Sequence, residues 1–153
     1  QDVNNYQNDR LLALVEKHAK TKKISILGLS YKPGTYVVEE SQGIHLANQL
    51  SSKGYEVTVY DPMALDEAKK TLNHTVGIAS SVKDCIEKSD IIFILIPWPE
   101  FSREITPQSL QDTDKVVVDC WRILNLEEFQ DVCKLVYPGC NEKPALTKEF
   151  VCG

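Results

Sequence analysis

Two hydrophobic periodicities alternate along the chain. Over residues 6–20, Tyr6, Leu11, Leu14, Val15 and Ala19 fall near one face of a helix, with Arg10, Glu16, Lys17 and Lys20 opposite. The run Ile24–Leu29 is apolar enough for a short buried strand. Residues 30–35 form a turn-rich loop containing Pro33-Gly34. Glu40-Ser41 opens a second helix with Ile44, Leu46, Ala47 and Leu50 on its apolar face and Gly54 at its C-cap. The unit then repeats: a strand at 56–60, a turn at Asp61-Pro62, a helix at 64–72, a short strand at 76–79 and a helix at 81–88. A fully apolar strand at 91–96 leads through Pro97-Trp98-Pro99 to a short helix from Glu100. A strand at 116–119, a helical segment at 126–132 and a last strand at 134–137 complete the order.

Strands separated by helices predict βαβ units. The expected fold is α/β: a Rossmann-like, doubly wound, mainly parallel sheet with helices on both faces. Residues 1–22 are expected to be a lead-in helix from a preceding helical region, and residues 23–153 the Rossmann-like domain. Position 1 is Gln and the one Met is Met63, which fits a piece of a longer chain or a processed one.

Ligands of such sheets bind at the carboxyl ends of the strands, where the strand order reverses. That directs attention to the loops after Leu29, Ile96 and Val118. The first reads Gly28-Leu29-Ser30-Tyr31-Lys32-Pro33-Gly34, with a single glycine in the tight position where a dinucleotide fingerprint would place G-x-G-x-x-G. A lysine between a strand end and a helix N-terminus suits a diphosphate, because its charge adds to the helix's positive end. Tyr31 beside it could stack on a base or ribose. Spacing alone leaves this reading of Tyr31 and Lys32 level with its alternative, a solvated lysine and a tyrosine packing the loop. In the second loop, Trp98 and Phe101 are expected to cap the sheet rather than to touch a ligand. The third, Asp119-Cys120-Trp121-Arg122, offers a guanidinium able to fork onto phosphate or ribose hydroxyls and a flat indole. Cys120 beside an acid is no activated nucleophile.

Composition excludes several function classes. A net charge of −5, without a dense basic run, argues against nucleic acid or an anionic membrane surface as partner. The longest apolar run, 91–97, is far short of the ~20 residues that span a bilayer. The N-terminus lacks the features of a signal peptide. Five cysteines, Cys85, Cys120, Cys133, Cys140 and Cys152, show neither a CxxC pair nor metal-ligand spacing to histidine, and predict reduced thiols in a cytoplasmic protein. His18, His45 and His74 are scattered, and no catalytic arrangement or metal site is expected.

The string Ile26–Thr35 followed by Glu40-Ser41 resembles the C-terminal domain of the UDP-glucose/GDP-mannose dehydrogenase family. So do Val59-Tyr60-Asp61-Pro62, the segment from Asp90 into Pro97-Trp98-Pro99-Glu100-Phe101, and Val118-Asp119-Cys120-Trp121-Arg122. The lead-in Val3–Gln7 resembles the end of that family's central helical region, so the likeness runs in order over residues 3–124. It implies a three-part enzyme: an N-terminal NAD-binding domain, a central helix that forms a homodimer, and a C-terminal domain that binds a UDP- or GDP-sugar. Such enzymes oxidise a sugar alcohol to a uronic acid in two NAD-dependent steps through cysteine-bound intermediates. The resemblance places that cysteine upstream and implies that this chain alone is inactive. It also implies that Lys32 and Tyr31 meet the diphosphate and ribose, and that the 119–122 loop meets the nucleotide. Many members carry Asp and Arg before the Glu-Ser pair, where this chain has Val37 and Glu39. Many carry Arg where it has Trp121, so either Arg122 makes the contact or Trp121 stacks instead. Against the dehydrogenase domain stands a stand-alone Rossmann-like module for a mononucleotide or a partner protein.

Overall fold

A computed structural model describes residues 2–30, 34, 38 and 41–138. Its elements in order are α1 (Asp2–His18), β1 (Lys23–Leu27), α2 (Gln42–Ser52), β2 (Glu56–Tyr60), α3 (Leu65–Ala68), β3 (Gly77–Ile78), α4 (Val82–Glu87), β4 (Ile91–Ile94), α5 (Pro99–Glu104), α6 (Pro107–Leu110), β5 (Val116–Asp119), α7 (Leu126–Phe129) and β6 (Lys134–Val136). The six strands form one sheet in the order β3-β2-β1-β4-β5-β6. Every pairing is parallel, from Lys23 opposite Glu56 on one side of β1 to Ile24 opposite Ile91 on the other. The sheet is therefore wholly rather than mainly parallel, and its order is that of the doubly wound nucleotide-binding fold.

Side-chain alternation splits the core into two layers. Ile24, Ile26, Ile91, Phe93, Val116 and Val118 point to one face, where Leu11, Leu14 and Val15 of α1 and Leu46, Ala47 and Leu50 of α2 cover them. Ile92, Ile94 and Val117 point to the other, against Cys85 and Ile86 of α4, Phe101 of α5, Leu110 of α6 and Phe129 of α7. Helix α1 packs into the same core as the sheet, with Val15 fully buried.

Several boundaries differ from the sequence reading for local reasons. Strand β1 stops at Leu27 because Gly28 turns the chain at φ +109°. Helix α2 starts where Ser41 accepts from the Ile44 N–H at 3.3 Å, and Gly54 follows its end at φ +95°. Helix α3 is one turn rather than two, and its N-cap, Ala64, has no side chain to cap it. Helix α6 was not expected: Thr106 and Ser109 form a reciprocal capping box around Pro107 at the first helical position.

Candidate functional site

The strand order reverses between β1 and β4, which is where a doubly wound sheet opens its ligand crevice. The segments that leave the carboxyl ends of β1, β2, β4 and β5 meet there, and two buried carboxylates organise them.

Asp61, directly after β2, is 1% exposed and has both oxygens saturated. Oδ2 accepts from the N–H groups of Leu29 at 2.7 Å and Ser30 at 3.0 Å, and from the Trp98 indole at 3.1 Å. Oδ1 accepts from the N–H groups of Met63 at 2.8 Å and Ala64 at 2.9 Å. One carboxylate therefore ties the β1, β2 and β4 segments together. Gly28, just before the first of these N–H groups, bonds its own N–H to the Tyr60 carbonyl at 2.9 Å. It has no room for a side chain: a Cβ there would lie 2.8 Å from the Ile96 backbone nitrogen. Its carbonyl in turn sits 2.3 Å from where a Cβ on Gly43 would be, so the turn after β1 and the first turn of α2 are in backbone contact.

Asp119 ends β5 and is fully buried. It accepts from the N–H groups of Trp121 at 3.2 Å, Ile123 at 3.1 Å and Leu124 at 2.9 Å. Burial pushes its carboxyl above the usual carboxylate range, and those backbone N–H groups pull it back. The loop it holds carries Trp121 and Arg122. The Trp121 Nε1–H donates to the Leu95 carbonyl at 2.7 Å, which turns the indole towards the end of β4 and leaves the residue 54% exposed. Arg122 adopts φ +54°, and its guanidinium lies 5.3 Å from the centre of the Tyr137 ring, beyond β6. Tyr137 is itself fixed by donating to the Leu124 carbonyl at 2.6 Å.

The sequence-predicted site residues divide accordingly. Tyr31 and Lys32 lie outside the described residues, as do Val37 and Glu39. Trp121 and Arg122 share a loop but point to different neighbours, the indole to β4 and the guanidinium to the β6 side. Trp98 caps the sheet end as expected, through its bond to Asp61, and Phe101 is fully buried. The organising role of Asp61 and Asp119 was not foreseen. The signal was present: each is an acid at the end of an apolar strand, where a carboxylate can collect backbone N–H groups of the chain leaving the sheet.

These contacts bear on which cofactor fits. A dinucleotide domain leaves the N–H groups of the turn after β1 to the pyrophosphate and the acid at the end of β2 to the ribose. Here the acid at the end of β2 accepts directly from the N–H groups of the turn after β1. Among the described residues the thiols are poor nucleophiles: burial, with the neighbouring Asp119 charge, pushes Cys120 up to about 12, and burial raises Cys85 to about 12. No group of three or more metal-ligating side chains occurs among the described residues. Nor is any helix among them long and apolar enough to cross a membrane.

Two concavities lie at the other end of the sheet. One, of about 220 Å³, is lined by Lys83, Glu87, Glu104, Ser109 and Lys115 beneath the amino ends of β4 and β5. An open acidic hollow is bordered by Asp112, Asp114 and Asp131. Both lie opposite the switch point. The candidate site is placed at the carboxyl ends because topology and the organised loops agree there.

Comparison with known proteins gives a consistent result. The model of the UDP-glucose/GDP-mannose dehydrogenase family, UDP binding domain, matches residues 25–126. A UDP-glucose 6-dehydrogenase of Rickettsia conorii is 35% identical over 127 residues, which cover 81% of this chain and 29% of that protein. The UDP-glucose 6-dehydrogenase AglM of Haloferax volcanii is 29% identical over 137 residues, covering 88% of this chain and 31% of that protein. Among solved structures, a UDP-glucose dehydrogenase from the hyperthermophilic archaeon Pyrobaculum islandicum superposes with a TM-score of 0.72 at 26% identity, covering 89% of this chain and 30% of that one. The chain thus spans under a third of the length of these relatives.

Proposed function

This chain belongs to the UDP-glucose/GDP-mannose dehydrogenase family through its UDP binding domain, and we propose that it holds the nucleotide of a UDP- or GDP-sugar while the sugar is oxidised elsewhere in a longer protein. The observation that carries this reading is the convergence of the pinned β1, β2, β4 and β5 segments at the switch point, with a half-exposed indole at its rim. Trp121 stacks on the base, since its ring is fixed in plane and open to solvent. Lys32 holds the diphosphate with the N-terminal turn of α2, and Tyr31 meets the ribose. Arg122 adds a positive charge to the β5 loop while resting on Tyr137.

The full reaction is an NAD-dependent oxidation of the sugar alcohol to a uronic acid, in which NAD, when bound, accepts hydride. Upstream parts of the same protein hold NAD and the cysteine machinery and form the homodimer, and this chain by itself is inactive. The occupied N–H groups of Leu29 and Ser30 support placing NAD outside this domain. The free thiols Cys85, Cys120 and Cys133 support a reducing, cytoplasmic setting.

Titration calorimetry of the chain with UDP, GDP and their sugars tests the reading. The expected result is saturable binding of one nucleoside diphosphate, weakened by Lys32→Ala and by Trp121→Ala. Binding left unchanged by both substitutions overturns the residue assignment, and no binding of either nucleotide at millimolar concentration overturns the function.

A further inference from the structure

We propose that Asp61 is a positioning residue of the nucleotide site, acting through the turn after β1 and the first turn of α2. This rests on the nucleotide-binding reading above and names a residue that reading does not use. The chain of contacts is continuous. The Asp61 carboxylate holds the N–H groups of Leu29 and Ser30, the last residues before Tyr31 and Lys32. The same turn presses the Gly28 carbonyl against Gly43 in α2, where a Cβ would come within 2.3 Å, so the turn sets where the N-terminus of α2 stands. The other oxygen holds Met63 and Ala64, and the Trp98 indole closes the third side, so the carboxylate cannot swing away from the turn.

The consequence is a division of labour unlike that of a dinucleotide fold. There the backbone after β1 touches phosphate directly. Here that backbone is committed to Asp61, and the diphosphate falls to Lys32 and the N-terminal turn of α2. Asp61 acts without touching the ligand, by fixing the turn that leads into Tyr31 and Lys32. An isosteric amide cannot do the same, because its NH2 would face either the two N–H donors on Oδ1 or the three on Oδ2 and leave them without an acceptor.

The test compares the wild-type chain with Asp61→Asn and Ser25→Ala. Ser25 is buried in β1 and bonds the Cys85 carbonyl at 2.6 Å and the Ser89 hydroxyl at 2.7 Å, far from the loop, so its loss measures what mere destabilisation does. Asp61→Asn is expected to weaken UDP binding by about tenfold or more, the lower end of what losing a charge-assisted hydrogen bond costs. It is also expected to speed amide exchange at Leu29 and Ser30. Ser25→Ala is expected to lower the unfolding midpoint and leave UDP affinity unchanged. In the wild type, saturating UDP is expected to move the amide resonances of residues 31–40 and leave those of Leu29 and Ser30 in place. That measurement decides the matter even where Asp61→Asn does not fold. UDP that shifts the Leu29 and Ser30 amides as direct ligands overturns the proposal. A folded Asp61→Asn protein that binds UDP like wild type overturns it too, as does equal weakening by Ser25→Ala. A wild-type chain that binds no nucleotide overturns the underlying functional reading and this proposal together.

Discussion

Trp121 and Leu95 are joined by a 2.7 Å hydrogen bond from indole Nε1–H to backbone carbonyl, which ties an exposed ring to the carboxyl end of the neighbouring strand β4. An indole left 54% exposed normally samples several rotamers; this one has its polar edge tied down. Replacing Trp121 with Ala is expected to weaken nucleotide binding by about tenfold, within the range for loss of one base–aromatic stack. Arg122→Ala is expected to cost less affinity and some stability, because its guanidinium already rests on the Tyr137 ring. Calorimetry with UDP on the two variants, beside urea unfolding, checks the ranking. A larger affinity loss for Arg122→Ala than for Trp121→Ala would reverse the assignment.

The contact between Gly28 and α2 makes a sharp stability prediction. Gly28→Ala would place a methyl 2.8 Å from the Ile96 backbone nitrogen at φ +109°, so it is expected to lose about 2–4 kcal/mol. Gly43→Ala meets the Gly28 carbonyl at 2.3 Å and is expected to cost about 1–3 kcal/mol, because backbone rather than a flexible side chain must move. Gly54→Ala, whose Cβ would meet nothing, carries only the positive-φ penalty and should cost less than Gly28→Ala. Urea unfolding midpoints of the three variants test this order.

The thiols predict their own inertness. Burial raises Cys85 and Cys120 to about 12 and Cys133 to about 11, with the Asp119 charge adding to the rise at Cys120. At pH 8 almost none of these groups is thiolate, the form that attacks an alkylating reagent. Brief iodoacetamide treatment of the native chain at pH 8, followed by peptide mapping, is expected to leave all three unmodified. Labelling should reach them once the chain is unfolded. Fast native labelling at Cys120 would mean that its loop opens.

What the sequence made legible follows from what local patterns encode. The apolar runs at 24–29, 91–96 and 116–119 and the intervening amphipathic stretches point to a parallel doubly wound sheet, because a strand buried on both faces needs an uninterrupted run. The sheet is indeed doubly wound and parallel. The short helix α6 was missed because its apolar face amounts to Leu110, while its signal is the cap Thr106-Pro107. Of the proposed site, the sequence singles out the loops after β1 and β5 by unusual residues at strand ends. The hubs Asp61 and Asp119 were not, because their partners Leu29, Ser30 and Trp98, or Leu124, become neighbours only when strands are placed side by side. The opposed directions of Trp121 and Arg122 were equally hidden, since they depend on Leu95 and Tyr137.

His18 carries a pH prediction. Its Nε2 is shielded from solvent without a hydrogen-bond partner, at the end of the helix that covers one face of the sheet. Burial lowers its pKa below the ordinary 6.5, and the positive charges of Lys134 and Lys17 lower it further. The unfolded chain therefore binds a proton at this residue more readily than the folded one. Between the lowered folded value and 6.5, unfolding takes up protons, so stability rises with pH across that window and is flat above it. Put the other way, the stability that neutral His18 allows is present above 6.5 and is lost as pH falls through the folded value. His18→Gln keeps a polar side chain that does not titrate, and the variant is expected to lack this part of the slope. The comparison requires urea unfolding of wild type and variant from pH 5 to pH 8, with the difference between them plotted against pH. Other groups cancel in that difference. A constant offset between the two curves would show that His18 stays equally protonated in both states, and would place its ring in water rather than against the sheet.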